Sequence, residues 1–366
     1  MSQGSNVVLL TGATGFLGKV VLEELLRQRE RSHLAQVILI VRGKDGLDGR
    51  ERFFKHTARS KCFANLPSGW QDSVRVFGGD LGLAECGLDK KDLIGIRDRV
   101  THIIHVAGHI KFDAEVSEAV ESNVTSSLNI LNLAKACKML QRLVITSTAY
   151  SAPPSTAPIH ERLPTLPVPA DRLFHGLMRG KLQKTDATKL TGYPNIYSLS
   201  KCLAEHLLIE QHGSVPLSIV RPSIICASSK YPSPGWIDST AAFGGFATGF
   251  ATGILSVVDG RQDRLSNYFP QESYSALLRR PTLSLSTRHV PSRTMATIFQ
   301  IMGKKQQAAA VEKAYRLATS MNAVFSPYMN HTYDFRPARR TANFDKGEYM
   351  QRICEGVSEH LVQPRL

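Results

Sequence analysis

The chain has 366 residues, 42% hydrophobic and 21% charged, which fits a folded globular protein with ample core and excludes a fibrous or disordered one. Its 45 Lys and Arg exceed 31 Asp and Glu by 14, an excess spread along the chain. It lacks the dense basic blocks of nucleic-acid binders, so an anionic ligand or surface is the expected partner and nucleic acid is not.

The opening strand-like run, NVVLL (6–10), starts too early to leave room for a signal peptide. It runs into TGATGFLG (11–18), and a helical pattern follows over 18–29. Glycines in a strand–turn–helix setting allow a tight turn and bring backbone amides to a pyrophosphate at the helix N-terminus. Thr11, Gly12, Thr14, Gly15, Phe16, Leu17 and Gly18 are therefore the expected dinucleotide cradle, although the spacing is G-x-x-G-x-x-G.

The second run, QVILIVR (36–42), ends on Arg42 with Lys44 close by and no carboxylate before Asp45. An NAD-preferring fold places an acid there, whereas cations suit the 2′-phosphate of NADP(H). VRVFGGD (74–80) follows, and its GGDL close offers Asp80 to the adenine amino group and Leu81 to the ring. In THIIHVAG (101–108), the small Ala107 and Gly108 leave room for a cofactor ribose, and His105 and His109 read as structural.

An amphipathic segment at 116–137 leads to RLVITST (142–148), whose hydroxyls fall at a strand's carboxyl end, where ligands of open α/β sheets bind. Thr148 is the candidate for holding a substrate carbonyl oxygen. A Pro-rich loop is expected over 151–172. YPNIYSLSK (193–201) then puts Tyr197 and Lys201 one helical turn apart. An ammonium beside a phenol favours the phenolate and makes Tyr197 a usable proton donor. Taken alone, the pair reads more readily as an exposed Lys and a half-buried Tyr on an ordinary amphipathic helix. PLSIVRPSII (216–225) is a further strand.

The alternation of apolar strands and helices predicts an α/β fold, a Rossmann-type doubly wound parallel sheet with a smaller, mostly helical C-terminal region. The uncharged AAFGGFATGFATGILSVV (241–258) is rich in small residues, which favours a buried helix or cavity wall over a membrane span. Residues 261–295 are polar and irregular, 306–323 have helical composition, and a last helix is expected from 345. Six cysteines without a C-x-x-C pair argue against zinc and against a disulfide framework, and fit a reducing compartment.

Together, TGATGFLG, GDL, HVAG, NVTSS (123–127), TSTAY and Y-x-x-x-K resemble an extended short-chain dehydrogenase/reductase. HVAGHIKFDAEVSEAVESNV, YPNIYSLSKCLAEHLL and IVRPSIICASSKYPSPGWID narrow the resemblance to the fatty acyl-CoA reductases, the male-sterility branch, over about 5–258. TYDFRPARRTANF (332–344) is similar to the C-terminal segment of those reductases. The resemblance implies NADPH as cofactor and a long-chain acyl-CoA as substrate, reduced through the aldehyde to an alcohol. It makes Tyr197 the proton donor, Lys201 the ligand of the nicotinamide ribose and Thr148 the support of the carbonyl oxygen, with Asn195 fixing the approach. Pro222 and Ile224, in the PSI segment, join the cofactor set. The expected domains are 1–258, the reductase, and 259–366, a shortened C-terminal region in which 259–300 lack the family's usual V-P-V-D-like strand.

Arg179, Lys181 and Lys184 are candidates for CoA phosphates, with a solvated loop as the plainer account. No transmembrane anchor is expected, and peripheral membrane contact is left open. The location is cytoplasmic or, from a terminal Pro-Arg-Leu similar to S-K-L, peroxisomal. A reductase of carrier-bound thioesters or of a small carbonyl, and a non-catalytic NADP-binding regulator, are the alternatives.

Overall fold

The computed structural model describes residues 5–112, 114–155 and 157–239, together with Gln300, Met302, Gly303, Lys305, Ala309, Phe335 and Arg336. The small-residue stretch 241–258, the divergent 259–299, nearly all of the expected helix over 306–323, the one expected from 345 and the terminal tripeptide lie outside them. The elements in chain order are β1 (Asn6–Thr11), α1 (Phe16–Arg27), β2 (Leu34–Val41), α2 (Gly49–Arg52), β3 (Val74–Gly78), α3 (Lys90–Arg99), β4 (His102–His105), α4 (Val116–Val120), α5 (Ser126–Ala136), β5 (Arg142–Thr146), β6 (Ile159–His160), α6 (Ala170–Met178), α7 (Lys184–Thr191), α8 (Ile196–Gln211), β7 (Leu217–Val220) and β8 (Phe335–Arg336).

Among the described residues, six strands form one sheet in the order β3-β2-β1-β4-β5-β7, and every pairing in it is parallel. This is the doubly wound order, in which the chain reverses direction between β1 and β4 and opens a crevice at their carboxyl ends. The strands are continuous apolar runs because both faces are covered. Leu9, Leu10, Val37, Leu39, Ile103 and Leu143 are fully buried, each worth about 1.5–3 kcal/mol of transfer free energy.

One core joins these strands to Leu93 and Ile96 of α3, Ile130 and Leu131 of α5, and Leu208 of α8. A second packs α4, α6 and α7 on α8 through Val120, Leu173, Leu177, Ala187, Leu199 and Leu203. α8 thus carries apolar residues into two cores, which is why it is the most buried of the long helices and a rigid mount for its polar residues.

The helix expected over 116–137 is broken by a single π-helical stretch, Glu121–Thr125, between α4 and α5. Such bulges are frequent at functional sites. The expected loop at 151–172 contains β6, which pairs in parallel with β8 from the C-terminal segment. The chain divides into two compact units, residues 1–223 with 333–338, and residues 224–332 with 339–366. In the second unit, the Ser228 N–H donates to Trp236 O at 2.9 Å, and the Gly235 N–H donates to Ser228 O at 2.8 Å, closing a turn around the PGWID segment.

Among the described residues, Cys62, Cys86, Cys137, Cys202 and Cys226 are free thiols. No group of His, Cys, Asp or Glu among them could hold a metal, and no helix among them is long and apolar enough to cross a membrane.

Candidate active site

The glycine turn lies in the crevice. Gly12 has φ +76°, and a Cβ there would stand 2.6 Å from the Ala107 amide nitrogen, so β1 and the segment after β4 meet through bare backbone. The Gly15 N–H donates to Gly12 O at 2.9 Å. A Cβ on Gly18 would fall 2.0 Å from that same carbonyl oxygen. Helix α1 starts at Phe16 with no side-chain cap and no acidic residue in its first turn. An uncapped helix start presents partial positive charge, which suits a pyrophosphate. Thr14, Phe16 and Leu17 are half-buried around this turn and Gly15 is exposed.

Thr11 is fully buried and organises the floor of the crevice. Its Oγ1 accepts from the Ala107 N–H at 3.3 Å and lies 2.9 Å from His105 Nδ1. His105 Nε2 is 3.3 Å from Ser127 Oγ, whose hydroxyl donates to Asn123 O at 2.8 Å. Burial first, and the Lys201 charge second, pull the His105 pKa down to about 3, so the ring is neutral. With the Ser127 proton committed to Asn123, the ring proton belongs on Nε2, and Thr11 donates to Nδ1. One directed chain therefore links the glycine turn to the π-helical stretch.

That stretch carries Asn123, which is 1% exposed. Its Oδ1 accepts from the His109 N–H at 2.9 Å, and its Nδ2 donates to His109 O at 3.1 Å and to Ser200 Oγ at 2.9 Å. Asn123 so lays the segment after β4 along α8. The Tyr197 ring meets Phe112 edge-on, with centroids 5.3 Å apart. His109 is held from the other side by Glu118, with 2.9 Å between Nε2 and Oε1.

Helix α8 begins at an Asn195 cap that accepts from the Ser198 N–H at 2.9 Å, which gives Asn195 a local structural task. Lys201 is buried, and its Nζ donates to Thr146 O at 3.0 Å, at the carboxyl end of β5. Burial lowers the Lys201 pKa to about 8, with Glu205 acting in the opposite direction. Tyr197, one turn earlier, is half-buried. Thr148 is buried, and its Oγ1 accepts from the Tyr150 N–H at 3.2 Å, capping a short turn, Ala149–Ser151, that packs on α8. The Ala149 N–H donates to Pro222 O at 2.8 Å. Lys201, Gly108, Asn123 and the end of β5 are thus brought together. Ile224 belongs to the second unit.

On the other side of β1, Arg42 Nη1 lies 3.8 Å from Asp80 Oδ2, with 71% of the Arg42 side chain exposed. Asp80 Oδ1 accepts from the Gly82 N–H at 3.0 Å, and the Leu81 side chain packs against the sheet core. Lys184 donates to Ala114 O at 3.0 Å, so its ammonium serves the fold.

Asn123 and Glu205 are the site residues that pattern reading passed over as individuals. NVTSS was legible as a motif, and KCLAEHLL sets one acid among apolar neighbours.

Residues 10–277 match the NAD-binding domain family described as male sterility protein. The chain is 33% identical over 274 residues to fatty acyl-CoA reductase 1 of Homo sapiens, covering 73% of this chain and 52% of that one. It is 30% identical over 266 residues to the Drosophila melanogaster fatty acyl-CoA reductase wat, covering 72% and 51%. The chain spans about half the length of the curated relatives it matches. Among solved structures, it is similar in fold to the terminal R domain of the myxalamid PKS-NRPS pathway, with a TM-score of 0.62 at 17% identity, covering 98% of this chain and 91% of that one. It is also similar to the PhqB reductase domain of Penicillium fellutanum, with a TM-score of 0.56 at 18% identity, covering 100% and 96%.

Proposed function

The chain belongs to the male sterility protein family, and on that footing we propose that it reduces a long-chain fatty acyl-CoA with NADPH, through the aldehyde, to the primary alcohol. The observation that carries this reading is the seat of Lys201. A buried ammonium fixed by Thr146 O at the carboxyl end of β5, one turn beyond Tyr197, suits the ribose of a nicotinamide lying in the crevice.

NADPH, when bound, supplies the hydride. The glycine turn from Thr11 to Gly18 takes the pyrophosphate. Arg42, loosely paired and exposed, is free to turn to the 2′-phosphate, with Lys44 beside it. Asp80, Leu81, Ala107 and Pro222 complete the cofactor set within the first unit. The Tyr197 and Thr148 hydroxyls donate to the thioester oxygen as negative charge develops on it. Rupture of the C–S bond then releases CoA as its thiolate and leaves the aldehyde. In the second reduction Tyr197 gives its proton to the carbonyl oxygen, and bulk solvent restores it. A reductase domain over 1–258, a shortened region over 259–366 and a cytoplasmic or peroxisomal location belong to the same proposal.

Incubation of the purified protein with NADPH and palmitoyl-CoA tests it. Hexadecanol should form, with two NADPH oxidised for each CoA released. Firm NADPH binding without oxidation on any acyl-CoA would overturn the proposal.

A further inference from the structure

Beyond Lys201 on α8 lies a buried polar cluster with no part in the steps above. Glu205 follows Lys201 by one helical turn and is 1% exposed. Its carboxylate accepts from the Ser147 hydroxyl. It also accepts from Arg221, whose Nε lies 2.9 Å from Oε1 and 3.1 Å from Oε2 and whose Nη2 binds Oε2. Arg221 Nη1 donates to Arg162 O at 3.1 Å. Ser147 immediately precedes Thr148, and its N–H donates to Val220 O at 2.8 Å. One carboxylate thus ties α8 to the ends of both β5 and β7.

Stability is a poor reason for that arrangement. A buried ion pair seldom improves on an apolar substitute of similar size, and Leu203, Ala204, Leu207 and Leu208 are the buried neighbours of Glu205 along α8. Geometry offers a better reason, because the tie holds the strand end bearing Thr148 against the helix bearing Tyr197 and Lys201.

Several titratable groups among the described residues stand around Lys201. Tyr197 and Glu205 share its helix. His105 on β4 is neutral, and Arg221, just past β7, is paired to Glu205 in a pocket shared with Tyr193 and Cys202. Of these, only Glu205 favours the charged form of Lys201, against the effect of burial.

We propose that Glu205 is a positioning residue for the Tyr197–Lys201 pair, holding the Thr148 strand end to α8 and supplying the countercharge for the buried Lys201 ammonium. The proposal rests on the role assigned to Lys201 in the reductase reading.

The test is a lysine ¹³C NMR titration of the full chain, with the Lys201 signal assigned by its loss in Lys201→Arg. It is run on the parent, on Glu205→Gln, and on Glu205→Gln/Arg221→Gln, which folds without the stranded guanidinium that the single change leaves. Lys201 should release its proton at lower pH in both variants, with a fall of about tenfold or more in proton affinity in Glu205→Gln and a smaller one in the double variant, from which the Arg221 charge is also gone. In NADPH oxidation, the alkaline limb of kcat should move down in pH by the same amount. Ser147→Ala should lower kcat equally at every pH. An unmoved Lys201 titration in the folded double variant overturns the proposal, as does a rate loss of one constant factor across the pH range in Glu205→Gln. If no acyl-CoA supports NADPH oxidation, the reductase reading falls, and the NMR titration still decides the role of Glu205.

Discussion

Gly108 reserves space for Lys201: a Cβ at position 108 would stand 3.0 Å from Lys201 Nζ and 2.8 Å from Asn123 Oδ1. Neither neighbour yields freely, because Nζ is bonded to Thr146 O and Oδ1 to the His109 amide. Gly108→Ala should therefore cost about 1–3 kcal/mol of stability by overpacking. It should also lower NADPH turnover about tenfold or more by displacing Lys201, since even small misplacements are costly in rate. Thermal denaturation and initial rates check the two halves separately, and an unchanged rate would count against Lys201 as the ribose ligand.

Tyr197→Phe removes one hydroxyl and keeps the edge-on contact with Phe112. Its melting temperature and NADPH affinity should stay near those of the parent. The rate of acyl-CoA reduction should fall by about 10²–10⁴, the usual worth of a positioned general acid. A variant retaining most of the parent rate would remove Tyr197 from the proton-transfer step.

Two glycines of the same turn should behave differently. Gly18→Ala drives a methyl group to 2.0 Å from the Gly12 carbonyl oxygen, where only backbone can give way. It should destabilise the fold by about 3 kcal/mol or more and abolish NADPH binding. Gly15 has φ −88°, and a Cβ there meets its nearest neighbour at 3.4 Å. Gly15→Ala should fold normally and weaken NADPH alone, by crowding the pyrophosphate. Calorimetry of the two variants side by side distinguishes a structural glycine from a ligand-facing one.

Acid should reveal His105. Its folded pKa is about 3 against an ordinary 6.5, so below pH 6.5 the unfolded chain binds a proton that the folded chain refuses. Stability from this group is whole above pH 6.5 and drains away as the pH falls toward 3, by on the order of 5 kcal/mol in total. His105→Gln should flatten the fall in unfolding free energy between pH 6.5 and 4, although it is less stable at neutral pH. A parent and variant with parallel pH profiles would show that His105 does not titrate as described.

The sheet was legible because a strand covered on both faces must be apolar throughout. NVVLL, QVILIVR and THIIHVAG could be read as buried parallel strands before any pairing was known. The π-helical break at Glu121–Thr125 was not legible, because its residues suit α-helix and the break answers to Asn123 reaching Ser200 and His109 across the fold. The two-residue strands β6 and β8 carry no periodicity at all. Within the site, residue types at fixed spacing pointed to the glycine turn and to Tyr197 with Lys201. Glu205 was hidden because its meaning depends on Ser147 and Arg221, distant in sequence.

The pairing of Ile159–His160 with Phe335–Arg336 makes the first unit discontinuous along the chain. During translation the edge at 159–160 must wait, uncovered, until position 336 has cleared the ribosome. A fragment cut at 258 for expression would leave Ile159–His160 permanently without its parallel partner.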